Sequence, residues 1–188
     1  MVRRLALIAL VSLAGCGGES TRESAARTGE IDVSNASVEE VAAQTKAAGA
    51  QMRFDPGQWR TTIEVIEAEV PGLPPQMAEV MKKQMLQKST VSSCMTPEQA
   101  ANPNEDLFAG KSGNCRFDRF TMKDGKVDAA MTCAGDGSGA GAAKILMTGT
   151  FDKTRFEMEN RIEATGAGAR QAMKMRSRVT GERTGDCA

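Results

Sequence analysis

Cys115-Arg116-Phe117-Asp118-Arg119-Phe120-Thr121-Met122-Lys123-Asp124-Gly125-Lys126-Val127-Asp128-Ala129-Ala130-Met131-Thr132-Cys133 reads as a β-hairpin with a cysteine at each end. Lys123-Asp124-Gly125 has the composition of a three-residue loop with glycine at the left-handed position. Beyond it polarity alternates with period two. Val127, Ala129, Met131 and Cys133 share one face, and Lys126, Asp128 and Thr132 share the other. A turn centred on Asp124 sets Cys115 and Cys133 directly opposite each other, near the Cα separation of about 5.5 Å that a disulfide tolerates. Phe117 reaches the same face as Met131.

The same period continues towards the C-terminus. Phe156, Met158 and Ile162 oppose Arg155, Glu157, Glu159, Arg161 and Glu163, and Met173, Met175 and Val179 oppose Lys174, Arg176 and Arg178. A loop at 165–169 would place Glu159 opposite Arg176 and Glu157 opposite Arg178, each pair contributing about 0.2–1 kcal/mol. These strands are therefore expected to be antiparallel neighbours.

Upstream, Phe54-Asp55-Pro56-Gly57-Gln58-Trp59 opens a strand to about Val70, and Pro71, Pro74 and Pro75 stop it. From Gln76 to Lys88, Met77, Val80, Met81 and Met85 recur at helical spacing with Glu79, Lys82 and Lys83 off that stripe, predicting an amphipathic helix. Thr96-Pro97-Glu98-Gln99 predicts a second short helix with Thr96 as cap. The fold class is α+β, mainly β: a twisted antiparallel meander of about six to seven strands with one or two short helices, stapled by disulfides.

The N-terminus carries an address. Arg3 and Arg4 precede an apolar run from Leu5 to Leu13, and Leu13-Ala14-Gly15-Cys16 follows, a pattern similar to the lipobox of bacterial envelope lipoproteins. The run is too short to span a bilayer. Residues 1–15 are expected to be removed as a leader, with Cys16 becoming a lipidated N-terminus. Gly17 stands where aspartate would direct inner-membrane retention, so the expected location is the outer membrane, facing the periplasm. Residues 16–53 read as lipidated terminus, flexible tether to about Asn35, and a short helix that contributes little to the core. Ser37 and Glu40 cap that helix as a capping box, and it ends near Gly49. The main domain occupies 54–188.

Removing the leader leaves 173 residues, with 22 basic against 24 acidic side chains, a formal charge of −2. One ordinary domain is expected, and no basic patch for nucleic acid. With Cys16 assigned to lipid, Cys94, Cys115, Cys133 and Cys187 form an even set in an oxidising compartment, predicting two disulfides. The hairpin pairs Cys115 with Cys133, and Cys94 with Cys187 follows by elimination. A four-cysteine zinc site is disfavoured because no Cys-x-x-Cys pair exists.

The chain has no histidine and no tyrosine, which removes the commonest general base and the commonest neutral metal ligand. Ser89, Ser92 and Ser93 lie near Lys88 with nothing to fix a nucleophile, and Glu64, Glu67 and Glu69 read as a solvated strand face. Gly135-Asp136-Gly137-Ser138-Gly139-Ala140-Gly141 lacks the lysine and hydroxyl of a phosphate loop and reads as a connection between strands. Methionine is the informative excess. Met77, Met81, Met85, Met173 and Met175 could bind Cu(I), fill a core, or line an entry for an apolar ligand between helix and sheet, and the last two readings are preferred. No cofactor and no metal are expected.

Pro56-Gly57-Gln58-Trp59, Cys94-Met95-Thr96-Pro97-Glu98-Gln99-Ala100, Asn114-Cys115, Asp124-Gly125-Lys126-Val127, Thr132-Cys133 and Gly185-Asp186-Cys187 together resemble the domain of unknown function family 3617 over about Phe54 to Ala188. The resemblance implies a small proteobacterial envelope protein, often a lipoprotein, and no established activity. Its cysteines transfer as disulfide partners. The segment before Phe54 is not part of the family pattern. The expected function is a non-enzymatic, membrane-anchored module that binds an envelope protein or has a structural role. The alternative is a carrier of small apolar or lipid ligands, and the third reading is an enzyme of unrecognised type.

Overall fold

Eight strands lie in one antiparallel sheet in the computed structural model, which describes residues 21–49, 54–101, 114–135, 141–165 and 172–187. In chain order the elements are α1 (Thr21–Thr28), β1 (Ile31–Ser37), α2 (Val38–Ala48), β2 (Gly57–Glu69), α3 (Pro75–Met85), β3 (Lys88–Met95), α4 (Pro97–Ala101), β4 (Cys115–Lys123), β5 (Lys126–Cys133), β6 (Ala143–Phe151), β7 (Arg155–Ala164) and β8 (Met173–Gly185). The sheet order is β1-β4-β5-β6-β7-β8-β2-β3, so it is open, with β1 and β3 at its edges. Cys16 and its leader, residues 136–140 of the glycine-rich stretch and most of the 165–169 loop lie outside the described residues.

The strand count exceeds the expected six to seven because β1 and β3 were not legible as strands. β3 is Ser/Thr-rich and directly follows a helical stripe. β1 falls in the segment that composition marks as a tether, and that reading is corrected from Thr21 onward. Ala25 of α1 is fully buried, and Gly29, at φ 74°, ends the helix with its N–H donating to the Ala25 carbonyl. β1 then pairs with β4 along six residue pairs. The second correction concerns α2. Its Ser37–Glu40 capping box forms as expected, but Val38, Val41, Thr45 and Ala48 are buried against Phe117, Phe120, Met122 and Met131, so the helix is the main cover of the core. Burying each valine is worth about 1.5–3 kcal/mol.

The deciding hairpin has the predicted partners by a different route. The turn has two central residues, Asp124 at φ 51° and Gly125 at φ 68°, the positive pair of a type I′ connection, which shifts the register by one residue from the three-residue loop expected. A bulge at Asp118, between the Phe117–Met131 and Arg119–Ala130 pairs, shifts it back. The two offsets cancel, and Cys115 still faces Cys133. The bulge also switches face parity, so Phe117 on one side of it and Phe120 and Met122 on the other all point into the core. The Cα atoms of the cysteine pair are 3.9 Å apart, closer to a non-hydrogen-bonded pair than to the separation expected.

Register also differs between β7 and β8. Glu159 pairs with Arg178 and Arg161 with Arg176, two residues from the expected alignment. The anticipated charge pairs nevertheless form on the diagonals, Arg178 to Glu157 at 3.3 Å and Arg176 to Glu159 at 3.8 Å, because long side chains span the diagonal.

The consequence is a sheet with two unlike faces. One cross-strand row runs Ile31, Met122, Val127, Gly149, Met158, Val179, Ile63. Its exposure rises from 2% at Ile31 to 46% at Ile63, since α2 covers the β1 end and, among the described residues, nothing comparable covers the β2–β3 end. On the opposite face Thr148, Glu159, Arg178, Glu64 and Lys88 form a row of alternating charge.

A second apolar centre closes the other end of the strands. Trp59, 1% exposed, stacks on Phe156 with ring centroids 6.0 Å apart, and Phe54 packs edge-on against both rings. Gly181 lies opposite Phe156, and a Cβ there would collide with the Phe156 ring. Nearby, Cys94 is bridged to Cys187, with Cα atoms 5.5 Å apart, tying edge strand β3 to the tail of β8 across the start of β2.

Two outcomes follow for stability. The Cys94–Cys187 bridge spans 93 residues and the Cys115–Cys133 bridge 18, so in denaturant melts C94S/C187S should lose about 4.5 kcal/mol and C115S/C133S about 3. Gly181→Val should displace Phe156 and lower stability by about 1–3 kcal/mol, with a changed tryptophan emission because Trp59 stacks on that ring.

Candidate functional site

α3 is held at one corner of the sheet. Pro71, Pro74 and Pro75 end β2 and start the helix, with prolines where a first turn tolerates them, and Leu86 stops it with its N–H donating to the Lys82 carbonyl. Eleven residues then pass directly into β3. The helix rests on β2, and its half-buried residues are Ala78 and Met85. At about 100° per residue these two share one side, while Met81, Met77 and Val80 lie about 50°, 90° and 150° round the helix from it. That stripe is turned to solvent: Val80 is 58% exposed and Met77 55%.

The stripe does not stand alone. The exposed large apolar side chains among the described residues are Ile63, Met77, Val80, Met81, Leu86 and Val91, all on β2, α3, β3 and the short link between the last two. β3 is exposed from Lys88 to Cys94 and is a sheet edge, so one side of its backbone is open as well. Ser89, Ser92 and Ser93 sit on this edge with no buried nucleophile geometry. Exposed apolar side chains gathered on neighbouring elements make this corner the candidate contact surface.

The five methionines anticipated as a lining divide into two groups. Met173 and Met175 are half-buried on the apolar face of β8, and Met77, Met81 and Met85 lie on α3, whose substantial contact is with β2. Within the stripe, Met77 and Met81 face outward, so a gap-filling core role is corrected for them. Glu67, read as a solvated face, is ion-paired with Arg176 at 2.7 Å on the charged side of the sheet.

Elsewhere the polar groups serve the backbone. Hydrogen bonds to Ser37 hold the Glu40 carboxyl below its ordinary pKa, and Glu98 is lowered by a backbone hydrogen bond at the start of α4 and by Thr96. A hydrogen bond to Glu30 raises Lys123. Asp152 is lowered because its carboxylate accepts the Thr154 and Arg155 N–H groups in the β6–β7 turn, at 2.7 and 2.8 Å. A pocket of about 340 Å³ between β1 and α2 is lined by Arg22, Asn35, Glu40 and Gln44 among others, and Glu40 there is engaged by the capping box. Among the described residues no three His, Cys, Asp or Glu side chains converge as a metal site, and no helix is long and apolar enough to cross a membrane.

The model of a family described as a protein of unknown function, DUF3617, matches residues 54–187. The chain belongs to the DUF3617 family. Neither the comparison with curated proteins nor that with solved structures gives a match. The DUF3617 region contains β2 to β8 and both disulfides, whereas α1, β1 and α2 precede it. In this chain those upstream elements pair with β4 and cover the core. The α3–β3 corner lies inside the family region, whereas the elements around the β1–α2 pocket lie outside it.

Periodicity located the α3 stripe but not its direction. The readable signal was the shortness of the stripe: Met77, Val80 and Met81 carry it, and Gln84 occupies the same side in the last turn.

The Asp152 turn gives a pH test. Its pKa is lowered on folding, so its contribution is present above the unfolded value of about 3.9 and disappears as pH falls through the folded value. Asp152→Ala should lower the melting temperature at neutral pH, and the gap from wild type should close in acid below about pH 4.

Proposed function

We propose that this DUF3617 protein is a non-enzymatic envelope lipoprotein whose domain binds a partner through the β2–α3–β3 corner. The observation that carries the binding reading is the collection of Ile63, Met77, Val80, Met81, Leu86 and Val91 in solvent on one corner. A lining for a small apolar ligand would call for a sheltered concavity, and an exposed stripe suits a contact surface better. The want of histidine and tyrosine, and the engagement of the shifted carboxylates in caps and turns, support a non-catalytic role.

The address is part of the same proposal. Residues 1–15 act as the leader, Cys16 carries the lipid, and Gly17 directs the chain to the outer membrane with its domain in the periplasm. Five residue steps separate Cys16 from Thr21, where α1 begins, so the anchor allows at most about 18 Å between the lipidated residue and the folded unit. The domain then works close to the bilayer, on a shorter link than the flexible tether to about Asn35 read from composition.

Two measurements test this. The mass of protein extracted from membranes should correspond to a chain starting at lipidated Cys16 with two disulfides, and a free Cys16 thiol or a different start overturns the address. Mild oxidation should convert Met77 and Met81 to sulfoxides several-fold more slowly in intact envelopes than in purified protein, with Met173 as internal reference. Equal rates in both settings overturn the corner as a binding surface.

A further inference from the structure

The chemistry around the α3 stripe identifies what it meets. We propose that Met77, Val80 and Met81 enter the headgroup region of an anionic phospholipid bilayer, with Lys82, Lys83 and Lys88 against the lipid phosphates. This rests on the reading of the corner as a binding surface and commits that surface to lipid.

Helical geometry supplies the first argument. Ala78 and Met85 mark the side of α3 that faces the sheet. At about 100° per residue, Met77, Val80 and Met81 centre roughly 95° from it, and Lys82 and Lys83 fall on opposite sides of the stripe, about 145° and about 115° from its midline. An apolar strip with lysines on both flanks is the arrangement of a helix lying in a membrane interface, since a lysine stem lies along apolar surface while its ammonium stays at headgroup level.

Charge supplies the second. Residues 75–88 hold three lysines and one acidic residue, Glu79, a local charge of +2 on a chain whose charge after leader removal is −2. On α3 and its junction with β3 basic charge accompanies exposed apolar side chains, while Glu64, Glu67 and Glu69 of β2 lie opposite Arg178, Arg176 and Lys174 of β8, so the surface complementary to the helix is anionic.

Composition supplies the third and separates lipid from protein. The cores of protein–protein interfaces are enriched in Tyr, Trp, Phe, Met and Arg and depleted in Lys. Of those enriched types residues 63–91 contain methionine alone, with no Tyr, Trp, Phe or Arg, and all their basic residues are lysines. Thioether and aliphatic side chains, which need no fixed partner shape, suit a fluid acyl surface.

The test uses the chain from residue 16 carrying Cys16→Ser, which retains every element described above and has no acyl chain, so it is independent of lipidation. Flotation with vesicles containing phosphatidylglycerol should carry the protein up, vesicles of phosphatidylcholine alone should not, and high salt should release it. K82Q/K83Q should reduce the partition coefficient about 25-fold, at roughly fivefold per lysine near an anionic surface. M77S/M81S should reduce it at least about tenfold, and Lys144→Gln on the charged sheet face should leave it unchanged. These residues are exposed, and unchanged circular dichroism verifies folding of each variant. No flotation on anionic vesicles, or equal flotation of wild type and both stripe variants, overturns the lipid assignment. If Met77 and Met81 are protected in envelopes while the protein fails to float, the corner binds a protein and only the lipid inference falls.

Discussion

The cross-strand apolar row from Ile31 to Ile63 is the constraint on which the rest of the structure depends. Side chains in a strand alternate between faces, so each strand must arrive in a register that adds its apolar residues to this row. Two devices adjust parity where simple alternation would fail: the bulge at Asp118 and the irregularity between Val65 and Glu67. Glycine serves the same end where space is short, since Gly149 and Gly181 leave room for Met158 and Phe156 on the neighbouring strand. The opposite face takes the charged residues as a by-product, and their ion pairs, mostly exposed, contribute little individually.

A sheet with one apolar face needs a cover, and this chain covers it unevenly. α2 closes the β1 end, and its residues come from upstream of the DUF3617 region. The aromatic centre around Trp59 closes one end of the central strands. At the β2–β3 edge α3 touches the sheet on one narrow side and sends its own apolar stripe outward. The disulfide from Cys94 to Cys187 holds this thinly covered edge to the body of the domain, so the corner can expose apolar surface without depending on it for stability. A buried core at one end and exposed apolar side chains at the other are thus divided along a single sheet.

Much of this was legible from residue types. Period two marked β5, β7 and β8, Ser37 with Glu40 marked the start of α2, and the prolines marked the end of β2 and the start of α3. The elements that escaped are those with polar sequences and apolar neighbours. β1 and β3 are strands because β4 and β2 offer them hydrogen-bonding edges, a partnership that local composition does not encode. α2 looked weak because its valines and alanines are small, yet small residues are what allow it to approach Phe117 and Phe120 closely.

The sequence by itself determined the fold class, the positions of the deciding hairpin and of α3, the pairing of the four cysteines and the absence of histidine chemistry, because these follow from local periodicity, turn residues and composition. Only the tertiary structure decided the cancelling register shifts, the incorporation of residues 21–37 into helix and sheet, and the outward direction of the α3 stripe. A helical period states that one side is apolar. Which way that side points depends on how much sheet is left to cover once every other element has packed, and that is a property of the whole chain.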